Sequence, residues 1–279
     1  MRPERDNIAA PALPGRMRWL NTERDPVMAE LTAAGPVLIH FFDYAQLNSV
    51  RALPYVRTWA KRYAPHGLAT LGVHSPRFRF TADRGALAPV LERLGITHPV
   101  ADDSGYSIWH DYGCKGWPSS FLWGQGGALR WFHFGEGEYE TTEEAIQAEL
   151  RALDAFVELP TAAAPLRPSD ARGALVAPPS DEVFPGGAAD RPWRSEHGAS
   201  ARLELDYAAA GAHASIDGVG ELEVTLDPGS DNELVTSVAV AGPGLYDLAL
   251  HTRHQSHAIA ISASGDLAIY SLSFSAGLP

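Results

Sequence analysis

The stretch FFDYAQLNSVRALPYV, residues 41–56, decides the fold of the amino-terminal half of this chain. Together with the preceding VLIH it makes residues 37–42 a short apolar run, which is typical of a buried strand. A polar turn follows, in which Asn48 and Ser49 are residue types that cap helices. Apolar side chains then recur at helical spacing, which predicts a helix over about 50–63.

The alternation of strand and helix continues along the chain. LATLGVHS, residues 68–75, is predicted to be a second buried strand, and GALAPVLERLG, residues 85–95, a second helix. SFLWG at 120–124 and ALRWFHFG at 128–135 form a predicted hairpin around a Gly-containing turn. An acidic helix is expected over 141–156, with Thr141 and Thr142 as caps. These elements predict an α/β sandwich, in which helices flank a mixed sheet.

The composition changes after this half. Residues 157–197 are rich in Pro, Ala, Ser and Asp and lack periodicity, which indicates an extended linker. Residues 198–279 contain short alternating segments separated by Gly, Pro, Asp and Ser turns, and they predict an all-β sandwich, jelly-roll-like in type. Residues 1–18 are assigned to an amino-terminal extension.

Charge and cysteine content limit the classes of function. The chain has 279 residues, with 22 basic against 34 acidic side chains and a formal charge of −12. Such a charge repels phosphate, so nucleic acids and anionic membranes are not expected as partners. The one cysteine cannot form a disulfide within the chain, and no long apolar run resembles a leader or a membrane span. We therefore expect a cytoplasmic protein.

Several stretches together resemble the TlpA/DipZ-like thiol:disulfide interchange family. In that family a thioredoxin-like domain is followed by a β-sandwich similar to a carbohydrate-binding module, and the resemblance implies the same order here, with the first domain at 19–156. The matching stretches are WLNTE (19–23), FFDYAQLNSVRALPYVRTW (41–59), GVHSPRF (72–78), LGITHPVADD (94–103), YGCKGWPSSFL (112–122) and HFGEGEYE (133–140).

The resemblance implies a redox site whose reactive groups have been replaced. Gln46 and Ser49 stand where the family has the two cysteines of Cys-x-x-Cys, and Arg77 stands where it usually has a glutamate. Dithiol exchange needs a thiolate and a second, resolving cysteine, so it is excluded within this one chain. The pair Trp117 and Pro118 matches the family's cis-proline loop, which presents its backbone to an extended substrate.

The predicted function is therefore that of a non-catalytic binding or scaffold protein. Gln46, Asn48, Ser49 and Arg77 are expected to converge at a helix amino terminus, where N–H groups and the helix dipole favour an anion. A peptide or small anionic ligand would lie over this turn, with Arg77 as charge partner and the backbone at Trp117 and Pro118 as contact. The alternative is that these residues only complete the helix end and fill the former redox pocket.

Cys114 carries the enzymatic alternative. If its thiol faces Arg77 its pKa could fall, and a one-thiol oxidoreductase or redox sensor would result. Packing as a small buried hydrophobic residue is the competing interpretation. A nucleophilic Ser49 with His40, His74 or His110 as base has no support in their spacing.

The carboxy-terminal half offers two further candidates. His251, His254 and His257 in HTRHQSH invite a metal site, but strand alternation separates His254 from the other two, and neither metal nor cofactor is expected. A third function, recognition of a partner or a carbohydrate through the β-sandwich, depends on aromatic side chains that are also typical of a core. These are Trp193, Tyr207, Tyr246 and Tyr270.

Overall fold

The structure is a computed structural model that describes residue 1 and residues 8–194 and 202–279. It divides into two units, one made of Met1–Arg77 and Ala82–Leu166 and the other of Phe78–Thr81 and Arg167–Pro279. The change of unit after Leu166 lies inside the stretch 157–197 that the sequence predicts to be a linker.

The first unit is built on a mixed six-stranded sheet. Its strand order is β1-β4-β3-β2-β5-β6, in which β2, β3 and β4 run parallel and the β1–β4, β2–β5 and β5–β6 pairs are antiparallel. The strands are β1 (Trp19–Leu20), β2 (Val37–Phe42), β3 (Ala69–His74), β4 (Val100–Asp102), β5 (Ser119–Trp123) and β6 (Leu129–Phe134).

The α-helices that the structure describes in this unit are α1 (Met28–Ala34), α2 (Leu47–Tyr63), α3 (Arg84–Arg93), α4 (Ser107–Asp111) and α5 (Tyr139–Leu153). Successive residues of a strand point to opposite faces of the sheet. Leu38 accordingly packs with side chains of α2 and α5, whereas Ile39 packs on the other face with residues of α1 and α4. This two-faced mixed sheet confirms the predicted thioredoxin-like α/β sandwich.

Helix α2 begins three residues before its predicted start. Its N-cap is Gln46, whose side-chain oxygen accepts a hydrogen bond from the N–H of Ser49. The prediction that Asn48 and Ser49 cap the helix is therefore wrong, because the longer Gln46 side chain reaches back to the first turn. Helix α5 likewise starts at Tyr139, so the caps predicted at Thr141 and Thr142 lie inside it.

The second unit is all-β, as predicted, with four antiparallel strands in the order β7-β10-β8-β9. They are β7 (Trp193–Arg194), β8 (Arg202–Leu226), β9 (Leu234–Val240) and β10 (Gly244–Ser275). Ile259 pairs with Leu205 on one side and Leu226 on the other, so the long strands curl around one core. The short segments predicted here are parts of these long, bulged strands.

Among the described residues, no helix has both the length and the apolar composition needed to cross a membrane.

Candidate functional site

A buried carboxylate organises the turn between β2 and α2. Asp43 is fully buried, and it accepts hydrogen bonds from the N–H of Ala45 at 2.6 Å and the N–H of Arg77 at 2.5 Å. Its own N–H donates to the Ser49 hydroxyl at 3.2 Å. The structure therefore brings the backbone of Arg77 to the turn that carries Gln46 and Ser49.

The residues at the two replaced cysteine positions are used inside the turn. Gln46 is half-buried and bonds to the N–H of Ser49 at 2.7 Å, while Ser49 is fully buried. Asn48 and Arg77 are half-buried as well, so they reach solvent at the turn. A ligand at this turn can touch Gln46, Asn48 and Arg77, whereas Ser49 acts on it only through the shape of the turn.

The Trp117–Pro118 peptide bond is cis, as the resemblance implies. The indole N–H of Trp117 donates to the carbonyl of Ser75 at 2.7 Å, and its ring lies 4.5 Å from that of Trp109. Pro118 is buried, and its carbonyl accepts from the N–H of Gly135 at 2.8 Å. In the part of the chain that the structure describes, the main-chain N–H and C=O of Trp117 have no hydrogen-bond partner.

A second buried carboxylate, Asp103, lies just before the start of α4 and forms hydrogen bonds near Trp117. It is fully buried and accepts from the N–H groups of Ile108 and Trp109, each at 3.0 Å, and from the Ser75 hydroxyl at 3.0 Å. Ser75 thereby links the start of α4 to the indole of Trp117. Asp43 and Asp103 were not selected from the sequence, since a carboxylate directly after an apolar strand is also an ordinary turn residue.

His74 lies buried between these acids. Burial lowers the pKa of His74, although the charges of Asp43, Asp102 and Asp103 oppose this by raising it. Neither ring nitrogen has a hydrogen-bond partner among the described residues, and the ring stacks on Tyr44 at 4.9 Å. His74 is therefore neutral at pH 7 and contributes packing here.

Cys114 lacks the properties of a reactive thiol. It is 8% exposed, and burial raises its pKa to about 12. Its N–H donates to the carbonyl of Trp109 at 3.1 Å. Loss of hydration outweighs the other influences on this thiol, so its pKa rises, which supports the packing interpretation over the one-thiol alternative.

Ser49 is not paired with a histidine. Its hydroxyl accepts from the backbone of Asp43, while Nδ1 of His40 bonds to the Ser120 hydroxyl at 2.9 Å and His110 is exposed. The arrangement offers no base for Ser49, in agreement with the spacing argument.

The second unit contains a Ser–His–Asp chain that the sequence analysis missed. Nε2 of His213 lies 3.1 Å from the Ser275 hydroxyl, and Nδ1 lies 2.7 Å from Asp247. A Cβ on Gly211 would lie 3.0 Å from that hydroxyl, and Ser275 is 4% exposed. The backbone of β8 therefore lies against the buried serine, and the three residues form a polar network that reaches the surface at Asp247, whose side chain is 60% exposed.

The histidine run of HTRHQSH is split, as strand alternation predicts. His251 and His257 stack at 4.3 Å, and Nδ1 of His257 bonds to Asp227 at 2.8 Å, while the backbone of His254 pairs with Leu278. Within the described ranges, no group of three or more His, Cys, Asp or Glu has the geometry to hold a metal ion.

The four aromatic candidates of this unit belong to its core. Tyr207 is buried in the apolar cluster of the unit, Trp193 and Tyr246 are partly buried against that cluster, and Tyr270 is buried against Phe78 and Phe80. Tyr207 and Tyr270 therefore have no free face on which a sugar ring can stack.

Comparisons with known proteins agree with the fold of the first unit. Protein DipZ of Mycobacterium tuberculosis is 37% identical over 152 residues, which cover 54% of this chain and 22% of DipZ. NHL repeat-containing protein 2 of Bos taurus is 31% identical over 136 residues, or 48% of this chain and 19% of that protein. These matches thus span about one-fifth of the relatives' own length.

Among solved structures, a thioredoxin-like protein in its oxidized form is 26% identical with a TM-score of 0.47, and the alignment covers 52% of this chain and 95% of the other. No protein-family model matches the sequence. Over the matched 152 residues the chain is homologous to DipZ, and its first unit has the thioredoxin-like fold with a single cysteine, which fits the loss of a Cys-x-x-Cys motif.

Proposed function

We propose that this chain is a non-catalytic binding protein that holds an extended peptide, or another ligand with an anionic group, beside the turn 46–49. The observation that carries the proposal is the unpaired main chain of Trp117 at the cis bond, whose indole bonds to Ser75, two residues before Arg77. A main-chain N–H and C=O that lack partners can pair with an added extended strand, as in peptide recognition at sheet edges.

The half-buried side chains of the turn and of Arg77 give the proposed binding its chemistry. Asn48 offers an amide that can donate to and accept from a peptide backbone. Arg77 supplies a positive charge at the amino terminus of α2, where the helix dipole also favours an anionic group. Ser49 and Pro118 are buried, so their role is to fix the shape of the surface.

The replaced dithiol supports binding over catalysis. Thiol–disulfide exchange proceeds through attack by a thiolate and release by a second thiol, and the chain has one cysteine. A one-thiol oxidoreductase or redox sensor at Cys114 is less well supported, because a pKa raised to about 12 leaves almost no thiolate at neutral pH. The buried aromatic side chains of the second unit do not favour carbohydrate binding.

A peptide array followed by NMR tests the proposal. The folded chain is probed on an array of random heptapeptides, and the strongest binder is titrated while amide signals are followed. Saturable shifts at Trp117, Asn48 and Gly116 are expected, and Asn48→Trp should abolish them by filling the surface. Arg24→Gln, an exposed substitution away from the turn, is the control. Array signals that Asn48→Trp leaves unchanged would refute the proposal.

A further inference from the structure

A groove of about 660 Å³ lies beside the carboxy-terminal half of α2, at the ends of β3 and β4 opposite to the 46–49 turn. This volume is within the range of small-molecule sites. Its apolar wall includes Pro54, Leu68 and Pro99, and its cations are Arg57 and Lys61. Among the described residues, none of the side chains lining the groove is Asp or Glu.

The charge of this groove differs from that of the whole chain. The sequence carries a formal charge of −12, yet the lining side chains that the structure describes include two exposed cations and no carboxylate. The guanidinium of Arg57 lies close to Gly95, since a Cβ on this glycine would lie 3.0 Å from it. Gly95 also has a φ of +63°, a conformation that other residues rarely adopt. The loop 95–99 is thus shaped so that the guanidinium can lie against it.

Two buried polar residues in the lining have unsatisfied atoms. Thr70 is 7% exposed and His98 is 8% exposed, and neither Oγ1 of Thr70 nor Nε2 of His98 has a hydrogen-bond partner among the described residues. A buried polar atom without a partner costs free energy, so it is rare in folded proteins. Burial, helped by the charge of Arg57, lowers the pKa of His98 to about 4, and the neutral ring can therefore donate or accept.

We propose that this groove binds a small organic anion, with its carboxylate or phosphate held by Arg57 and Lys61 and its apolar body against Leu68 and Pro99. Thr70 and His98 supply hydrogen bonds to the polar atoms of the ligand. An inorganic ion would not contact the apolar wall, and a neutral ligand would not form ion pairs with the two cations. An organic anion can do both. The site is separate from the turn at 46–49 and does not depend on the proposed peptide binding.

The test uses benzoate, benzyl alcohol and phenyl phosphate as probes of the folded full chain, with amide NMR shifts as the readout. Benzoate should shift the amide signals of Gly95, Thr97 and Thr70 until the site is saturated. The neutral benzyl alcohol should bind about tenfold more weakly or not at all. Comparison of phenyl phosphate with benzoate then shows which anionic group the site prefers.

Variants of the groove distinguish the contribution of its positive charges to benzoate binding from that of its shape. The double variant Arg57→Gln, Lys61→Gln should lower the affinity for benzoate by about tenfold or more. Arg253→Gln removes one positive charge from the other unit and should leave that affinity unchanged. Thr70→Val should lower the affinity for benzoate about threefold, because the ligand loses a hydrogen bond. The stability of the free protein should not fall, because the removed hydroxyl has no partner there. Thermal unfolding of each variant shows that the fold is kept.

Four results would overturn the inference. The first is equal affinity for benzoate and benzyl alcohol, and the second is an unchanged affinity in the double glutamine variant. The third is a set of amide signal changes, on addition of benzoate, that is confined to Gln46, Asn48 and Trp117. This result would support the proposed binding at the turn and would show that the groove does not bind benzoate. Peptide shifts at the turn without benzoate shifts at Gly95 would refute the groove alone.

Discussion

The side-chain oxygen of Gln46 accepts a hydrogen bond from the N–H of Ser49 over 2.7 Å, so a residue at one former cysteine position caps the helix at the other. The Ser49 hydroxyl continues the chain by accepting from the N–H of Asp43. Both replaced positions thus satisfy backbone groups at a helix amino terminus, which otherwise lack partners. The loss of the thiols has left a closed turn with polar groups at its rim.

Removal of this cap should destabilise the first unit. Gln46→Ala leaves the N–H of Ser49 unpaired, and the free energy of unfolding should fall by about 1 kcal/mol. Urea unfolding followed by circular dichroism measures the change. Gln46→Asp should recover most of the loss, because a short carboxylate also caps and interacts favourably with the helix dipole. A Gln46→Ala variant as stable as the parent would mean that this hydrogen bond contributes nothing.

A thiol at position 46 should be acidic. In a Cys114→Ala background, Gln46→Cys places a thiol at the amino terminus of α2, where the helix stabilises the thiolate. Its alkylation rate against pH should give an apparent pKa below the roughly 8.5 of a free thiol. Gln125→Cys, in the exposed hairpin turn, is the matched control. An equal midpoint for the two would show that the turn does not favour anions.

The strands β2 and β3 and the long helices could be predicted from sequence because their apolar residues follow the periods of buried strands and amphipathic helices. The two-residue β1, the three-residue β4 and the short helices α1 and α4 were missed, since such elements contain too few residues to show a period. In the second unit, the small residues from Ala208 to Ser215 carry no alternation, although they continue β8 without a break.

The site could be predicted only in part. The cis bond before Pro118 followed from family resemblance, and the turn 46–49 from its place between a strand and a helix. The roles of Asp43 and Asp103 could not be read from sequence, because they depend on backbone groups of Arg77, Ile108 and Trp109 that the fold brings to them. Gln46 as a cap was missed, since Gln is not among the preferred N-cap residues.

Helices α2 and α5 are joined by a buried polar network that should be sensitive to the loss of one hydroxyl. Tyr63 donates to Glu143 at 2.6 Å and accepts from Gln147 at 2.7 Å. Tyr63→Phe leaves the carboxylate of Glu143, 2% exposed, with one hydrogen bond fewer, and the stability should fall by about 1–3 kcal/mol. Addition of Glu143→Gln should recover part of this, because a neutral amide costs less to bury. A loss from Tyr63→Phe smaller than about 0.5 kcal/mol would contradict this account.

Stability should fall on mild acidification because burial holds histidines neutral in the folded state, among them His98 and His40. Burial lowers the pKa of His98 to about 4 and that of His40 to about 3, from an ordinary value of 6.5. Below pH 6.5 the unfolded chain takes up these protons while the folded chain does not, so stability is lost between about pH 6.5 and 4. Each proton contributes a slope of about 1.4 kcal/mol per pH unit.

Urea midpoints measured from pH 7 to pH 4 test this slope. In His98→Gln the dependence of the unfolding free energy on pH should decrease by about one proton in that range, whatever the variant does to stability at pH 7. A slope identical to that of the parent protein would show that His98 is protonated in the folded state.

The last prediction concerns Cys114, whose thiol decides between binding and one-thiol chemistry. With a pKa of about 12, the thiol is protonated at pH 8, and alkylation of the folded protein should be more than about a hundredfold slower than in denaturant. Because the folded state holds the proton that the unfolded state releases near pH 9, stability should also decline as the pH rises from there toward 12. Iodoacetamide labelling against pH, with Cys114→Ala as the blank, measures the first effect. A labelling curve that reaches its plateau below pH 8.5 would mean an exposed thiolate, and the redox interpretation would then replace the binding one.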